Sequence, residues 1–373
     1  MLGKSSLVNQ ITNQDMSVVS DIKGTTTDPV TKSMELLPLG PVTIIDTPGF
    51  DDEGSLGEKR VATTKKVLRS CDVAVLISVA GREFDRKEEE LISIFKEREI
   101  PYVIVKNKVD LLETQPANKD NMIYTSTIEH IGIEEVKIAI GNSMKESSCQ
   151  VHFVSDLIKE RDMVVLVTPI DASAPKGRLI LPQQLAIRDI LDAKAIAIVT
   201  QDTELANTLV SLKTKPALVI TDSQVFHKVK DIVPEEIFLT SFSILMARYK
   251  GFLDVAVNGA RKIDALKDGA KVLISEGCTH HRQCEDIGTV KLPKWLKEYT
   301  GKNLQLEWSS GTGFPEDLSG IDLIIHCGGC MLNENEVKYR MELAIKQNVA
   351  FTNYGIAISY MQGILERSTR CLQ

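Results

Sequence analysis

Short β-branched runs that stop at polar or glycine-rich turns recur along the chain, and longer charged amphipathic stretches separate them. Up to about residue 140 the runs are "VTIIDTPG", "DVAVLISVAG" and "PYVIVKNKVD", and between them lie "GEKRVATTKKVLRS" and "DRKEEELISIFKERE". After the polar stretch Gly141–Gln150 the alternation restarts with "MVVLVTPID", "AIAIVT" and "PALVITDS", and from Asp264 a third set follows: "KVLISEGC", "LQLEWSSG", "DLIIHCGGC" and "VAFTNYG". Strands joined by helix-length segments run the same way, because the crossover returns the chain to its starting edge, and such a sheet needs helices on both faces. The sequence thus predicts an α/β protein of three domains, 1–145, 151–262 and 264–373, each a mainly parallel sheet flanked by helices. No short-period repeat or heptad array is evident.

With 43% hydrophobic and 25% charged residues the 373-residue chain can bury real cores. No apolar run approaches the roughly 20 residues that cross a bilayer, and no basic-then-apolar leader opens the chain, so a cytoplasmic protein without a membrane partner is expected. A net charge of −7 argues against a nucleic-acid partner. The odd count of seven cysteines favours thiols and metal ligands over a disulfide framework, and Cys371 reads as part of a mobile tail.

The opening "GKSS" looks like the second half of a phosphate loop, GxxxxGK[ST], whose first glycine and preceding strand the chain lacks, so the nucleotide domain reads as N-terminally incomplete. Gly3 would let the backbone approach the phosphates, Lys4 would reach the β and γ oxygens, and Ser5, beside Ser6, would bind Mg²⁺. Asp46 and Gly49 of "DTPG" follow an apolar run, where an aspartate holds Mg²⁺ through water and a glycine senses the γ-phosphate; Thr26 of "GTTTDPV" is placed to close over the metal. Asn107, Lys108 and Asp110 form "NKVD", whose aspartate can accept two hydrogen bonds from a guanine edge. This ordered set resembles the Era and TrmE-like GTPases, which implies a P-loop GTPase fold with GTP or GDP and Mg²⁺ as ligands. Ser126 sits where that family touches the base, with Thr127 replacing an alanine. Lys4 and Thr26 are the candidate catalytic groups. Phe50 stands after "DTPG" in place of a water-orienting glutamine, so slow hydrolysis suited to a regulatory switch is expected.

In the last domain Cys278, Cys327 and Cys330 all fall at the ends of predicted strands, where loops distant in sequence meet along one edge of a parallel sheet. His280 and His326 accompany them, and Gly328 and Gly329 allow the sharp turn a metal loop needs. Cys284 and Glu285 lie close enough in sequence to join as a fourth ligand or to buttress one. Residue types alone leave three options: a Cys₃His zinc module on a ribosome-associated GTPase, an iron–sulfur cluster, or a reversible disulfide on a redox-sensing GTPase.

A GTPase-like start joined to Cys-x-His and His-Cys-x-x-Cys resembles the HydF family, the maturation GTPases of [FeFe]-hydrogenase. Flanking text carries the resemblance through all three domains: "APKGRLILPQ", "LTSFSILMARYKG", "CTHH", "DIGTVKLPKWL" and "FTNYGIAISY". It implies a scaffold with a [4Fe–4S] cluster on Cys278, Cys327 and Cys330, its fourth position open or filled by His280, His326, Glu285 or Cys284. It further implies a transient diiron precursor bearing CO and CN ligands, a homodimer through the middle domain, and two radical-SAM maturases and apo-[FeFe]-hydrogenase as partners.

Overall fold

The computed structural model describes residues 3–12, 30–36, 40–47, 64, 67–119, 121–147, 152–170, 179–277, 287–311 and 313–372. Contacts divide the chain into two compact units, Met1–Gln150 and Val151–Gln373.

The first unit opens with helix α1 (Lys4–Thr12), followed by strands β1 (Val30–Leu36) and β2 (Gly40–Asp46). Joined by residues 37–39 only, β1 and β2 have no room for a crossover and pair antiparallel, Val30 opposite Asp46. The sequence reading expected β2 in a mostly parallel sheet and named no strand over 30–36; the short connection makes this pair antiparallel. Three parallel strands follow in the order β3 (Ala74–Val79), β4 (Tyr102–Asn107) and β5 (Met122–Thr125), with helix α2 (Arg86–Glu97) between the first two and helix α3 (Ile133–Ser147) after the last. Asp85 starts α2 with a capping box: its carboxylate accepts from Glu88 N at 2.9 Å while the Glu88 carboxylate accepts from Asp85 N at 3.1 Å. Val103 and Val105 point to one face of β4, where they bury against Leu7 and Ile11 of α1 and Val136 of α3.

The second unit holds two four-stranded parallel sheets of the same topology. The first runs β7-β6-β8-β9, from β6 (Met163–Val167), β7 (Ile196–Thr200), β8 (Leu218–Thr221) and β9 (Phe238–Ser241). The second runs β11-β10-β12-β13, from β10 (Lys271–Glu276), β11 (Gln305–Ser310), β12 (Leu323–His326) and β13 (Ala350–Asn353). Helices α4 (Leu181–Asp192), α5 (Leu205–Ser211), α6 (Phe226–Ile232), α7 (Phe242–Tyr249) and α8 (Leu253–Ala260) accompany the first sheet in sequence. The second is accompanied by α9 (Leu292–Thr300), α10 (Glu334–Lys346), α11 (Tyr354–Met361) and α12 (Leu365–Thr369). The correspondence reaches the sequence: "GRLILPQQL" leads into α4 as "GTVKLPKWL" leads into α9, each placing proline in the first turn, where its missing N–H costs nothing. Likewise "FLTSFSILMARYKG" (238–251) runs parallel to "AFTNYGIAISYMQG" (350–363). Ser241 caps α7 through Ile244 N, and Asn353 caps α11 through Ile356 N.

Strand alternation sorts the apolar residues into three layers. Val164, Leu166, Leu218 and Ile220 pack under Ala186, Ile190, Leu245 and Met246; Val272, Ile274, Leu323 and Ile325 pack under Leu292, Leu296, Ala357 and Ile358. The opposite faces meet in one shared core: Val165, Val219 and Leu239 from one sheet, Leu273, Ile324 and Phe351 from the other. Each sheet also lends the other a helix. Helix α8 follows the first sheet yet lies on β13, while α12 follows the second yet is tied to the end of α6 by Arg367, which donates to the carbonyls of Lys230, Val233 and Pro234. Cys371, expected in a mobile tail, instead packs beside Leu245 and Met246, and burial raises its thiol pKa to about 11.

The α8 contact needs glycine: a Cβ on Gly259 would stand 2.0 Å from Phe351 O, backbone against backbone, with no flexible group to yield. Gly259→Ala is expected to destabilise the 151–373 unit by at least about 2 kcal/mol, read as a lower calorimetric Tm. An unchanged Tm would place α8 elsewhere.

Candidate functional site

Helix α1 presents its amino end to the residues expected to hold phosphate. Gly3, at φ +77°, turns the chain into the helix, and its carbonyl accepts from Leu7 N at 2.9 Å. Ser5 and Ser6 sit half-buried in the first turn, and Lys4 Nζ donates to Thr47 O at 2.5 Å, one residue past Asp46 at the end of β2. The structure thereby brings Lys4 next to the strand end that carries Asp46. Thr26, Gly49 and Phe50 lie outside the described residues.

Asn107 ties the phosphate side to the base side. Fully buried at the end of β4, it accepts from Thr125 Oγ1 and from Thr127 N, each at 3.2 Å, and its Nδ2 reaches Thr127 Oγ1 at 3.4 Å. Its amide also abuts Gly3, where a Cβ would come within 2.5 Å of Nδ2. Lys108 adopts the left-handed region at φ +68°, which swings the chain so that Asp110 projects from the following turn. Ser126 is buried and donates to Asp110 Oδ1 at 2.5 Å while accepting from Glu129 N at 3.1 Å. Ser126, expected to touch the base itself, is instead bonded to the Asp110 carboxylate, which it holds in place. Thr125 was missing from the sequence reading, and its signal was available: it stands opposite Asn107 in the β4–β5 register.

The second site forms where the second sheet reverses its strand order. Strand β11 pairs on one side of β10 and β12 on the other, so the strand order reverses between β10 and β12, the point at which open parallel sheets form a crevice at their carboxyl ends. Cys327 follows β12 and keeps one ladder bond, donating from its N to Ser275 O at 2.8 Å. Its Sγ accepts from Gly277 N at 3.0 Å and from Gly329 N at 3.3 Å, the latter allowed by φ +65° at Gly329. Two backbone N–H groups aimed at one sulfur favour the thiolate, the form that binds metal. Gly277 directly precedes Cys278 in sequence, but Cys278, His280, Cys284 and Glu285 lie outside the described residues. Cys330 is half-buried beside Leu245 and Met246. Among the described residues no three His, Cys, Asp or Glu side chains converge as a metal site; Cys327 packs against the core layer of Val272 and Ile325, Cys330 against that of Leu245 and Met246.

His326 has both ring nitrogens engaged. Arg340 Nη1, which can only donate, lies 3.1 Å from Nε2, so the proton sits on Nδ1 and is given to Cys327 O at 2.7 Å. Burial first, then the charges of Arg340 and Lys250, lower its pKa to about 3, holding the ring neutral. In this arrangement His326 braces the first cysteine's peptide and does not face the crevice as a ligand. Arg340 is itself 1% exposed, donating to Glu336 Oε1 at 2.8 Å and to Gly311 O at 2.6 Å. Lys250, 7% exposed, reaches the same loop from the other side, donating to Gly329 O at 2.7 Å and to Leu332 O. The sequence reading found neither cation, because Glu336 and Arg340 are spaced like a solvent-facing helix pair and Lys250 ends an ordinary helix.

The chain matches three family descriptions: a 50S ribosome-binding GTPase over residues 2–108, a hydrogen maturase F dimerization domain over 153–251 and a hydrogen maturase F tetramerization domain over 254–371. The tRNA modification GTPase MnmE of a Thermoanaerobacter species is 34% identical over 147 residues, 38% of this chain and 32% of the relative. That of Nitrosomonas europaea is 31% identical over 144 residues, 37% of this chain and 32% of the relative. The chain thus spans about a third of the length of these curated relatives. A crystal structure of Era in complex with MgGDPNP and a segment of 16S ribosomal RNA aligns over 92% of this chain and 93% of that one, at 14% identity and a TM-score of 0.34, too low to bear on the fold.

Two expected outcomes test the geometry. Asp110→Ala removes the charged acceptor for the base and should weaken guanine-nucleotide binding on the order of a hundredfold, whereas Ser126→Ala, which removes one bond to that acceptor, should cost roughly tenfold, both by calorimetric titration. For His326 the sign is set by a folded pKa below the ordinary 6.5: its contribution to stability is complete above pH 6.5 and is lost as pH falls through that value toward about 3. The metal-free protein should therefore melt at progressively lower temperature between pH 7 and pH 5, and His326→Gln should flatten part of that slope.

Proposed function

Since the chain belongs to the hydrogen maturase F family, we propose that it is a GTP-controlled carrier that holds an iron–sulfur cluster, receives a diiron precursor and delivers it to apo-[FeFe]-hydrogenase. The first unit contains a GTPase domain; its use as a slow regulatory switch, with Mg²⁺ bound by Ser5, Thr26 and Asp46, rests on motif positions and on Phe50 standing where a water-orienting glutamine would be. The working organisation is a GTP-binding domain at 1–145, a dimerisation domain at 151–262 and a cluster domain at 264–373, acting in the cytoplasm. Two matched domains named for dimerization and tetramerization support an oligomer. Among the described residues no helix is long and apolar enough to cross a membrane.

The observation that carries the reading is the Cys327 sulfur at the sheet's switch point, held by the N–H groups of Gly329 and of Gly277, the residue directly before Cys278. These donors fit a metal-bound thiolate, and Cys278, Cys327 and Cys330 would hold three irons of a [4Fe–4S] cluster. The cluster would supply one iron free to exchange its ligand, to which a precursor bearing CO and CN groups could attach. The chain's own part is to hold the sulfurs in place. The Gly277 and Gly329 amides stabilise the Cys327 thiolate, and neutral His326 anchors the Cys327 carbonyl. Arg340 fixes the His326 tautomer. Within the same reading, two radical-SAM maturases supply the precursor, and nucleotide state regulates exchange of partners.

Cys327→Ser and Cys330→Ser should each abolish the cubane after anaerobic reconstitution with iron and sulfide, leaving GTP hydrolysis intact. A normal cubane EPR spectrum in either reduced variant would overturn the ligand assignment, and stoichiometric zinc in a colourless wild-type protein would overturn the cluster.

A further inference from the structure

We infer that Lys250, contributed by the first sheet's half of the unit, is a positioning residue for the Cys327–Cys330 loop, so that the half expected to dimerise governs how firmly the cluster is held. This rests on the reading of Cys327 and Cys330 as cluster ligands.

A lysine that is 7% exposed surrenders side-chain freedom and hydration, a cost worth bearing only for specific partners. Lys250 Nζ donates to Gly329 O and Leu332 O, both in the cysteine loop, although Lys250 itself caps α7, donating its backbone N to Met246 O at 3.0 Å. The Gly329 carbonyl is the telling one. It shares a rigid peptide plane with the Cys330 nitrogen, so holding that oxygen fixes the direction in which Cys330 leaves the loop. On its other side the Gly329 N–H points at Cys327 Sγ. One clamp thus orients the residue between both sulfurs.

Helix α7 reinforces the clamp along the same edge. Ser243 Oγ accepts from Gly355 N at 3.3 Å, Ser243 O accepts from Asn353 Nδ2 at 2.9 Å, and a Cβ on Gly328 would meet Ser243 Oγ at 3.7 Å.

The doubled architecture supplies an internal comparison. Aligning 238–251 with 350–363 sets Lys250 opposite Gln362, and aligning the ends of β8 and β12 sets Asp222 opposite Cys327 and Ser223 opposite Gly328. The lysine is present only on the helix that faces the cysteine loop; its counterpart is uncharged. Packing alone would be served equally by glutamine at both places. A positive charge beside anionic thiolates also favours the reduced, more negative state of a cluster, so its loss should lower the reduction potential.

The test compares wild type, Lys250→Met, Lys250→Gln, Lys250→Arg and Cys327→Ser as full-length proteins, reconstituted anaerobically. Read-outs are the rate of iron release to a chelator, the midpoint potential from EPR-monitored titration, and the melting temperature of each metal-free form. Lys250→Met should release iron about tenfold faster, the effect usual for groups that orient metal ligands. Its midpoint potential should fall, and Lys250→Arg should recover both properties. Should Lys250→Met be insoluble, Lys250→Gln is measured against the same two expectations. Wild-type release rate and potential in the neutral variant would overturn the inference while Cys327→Ser still lacks a cluster. A cluster retained by Cys327→Ser would instead overturn the reading of the cysteines.

Discussion

Parallel strands that return through a crossover all end at the same edge of their sheet, and that constraint governs what the second unit can offer a ligand. Because β10 sends β11 to one side and β12 to the other, the strand order reverses between β10 and β12 and nowhere else in the sheet. Cys327, directly after β12, stands at that switch point, one strand over from the end of β10. The ladder bond from Cys327 N to Ser275 O shows how little freedom remains: the first cysteine is still part of the sheet, and only the glycines after it turn the chain.

The same unit shows why its two sheets fold as one body. Each sheet alternates its apolar side chains between an outer face covered by its own helices and an inner face turned to the other sheet. With α8 lying on β13 and α12 tied to α6, neither half completes its inner layer alone. Removing one sheet would expose Val165, Val219 and Leu239, or Leu273, Ile324 and Phe351, all at most 2% exposed in the intact unit. A cysteine loop built on one half is therefore mechanically continuous with the other.

Much of this was legible in the sequence, for a physical reason that also marks where legibility stopped. Apolar runs halted by polar residues mark strand ends, and the structure accordingly has Asn107 at the end of β4, Asp110 in the turn just beyond it and Cys327 directly after β12. Strand β1 was not legible, because "VTKSMEL" mixes polar and apolar residues and its partner begins only four residues later, with no crossover to announce it. Lys250 and Arg340 escaped because a charged residue is read as solvated unless its burial is known, and burial is decided by elements distant in the chain. The duplication escaped because it survives as pattern, in proline and capping positions, with few identical residues.

The doubled sheet has two equivalent edges, and the divergence between them shows what sets the cysteine end apart. At the end of β8 stand Thr221, Asp222 and Ser223; at the end of β12 stand His326, Cys327 and Gly328. The changes work together. Sulfur replaces a carboxylate, glycine admits the turn that lets an amide meet that sulfur, and a neutral histidine held by Arg340 takes up the carbonyl left behind. Lys250 then faces the carbonyls of the cysteine loop while Arg340 pairs with Glu336 and holds His326, and anionic sulfur close to the buried ammonium offsets its desolvation. Glu336 balances Arg340, and the carbonyls of Gly329 and Leu332 hold the ammonium of Lys250 beside the loop that carries both sulfurs.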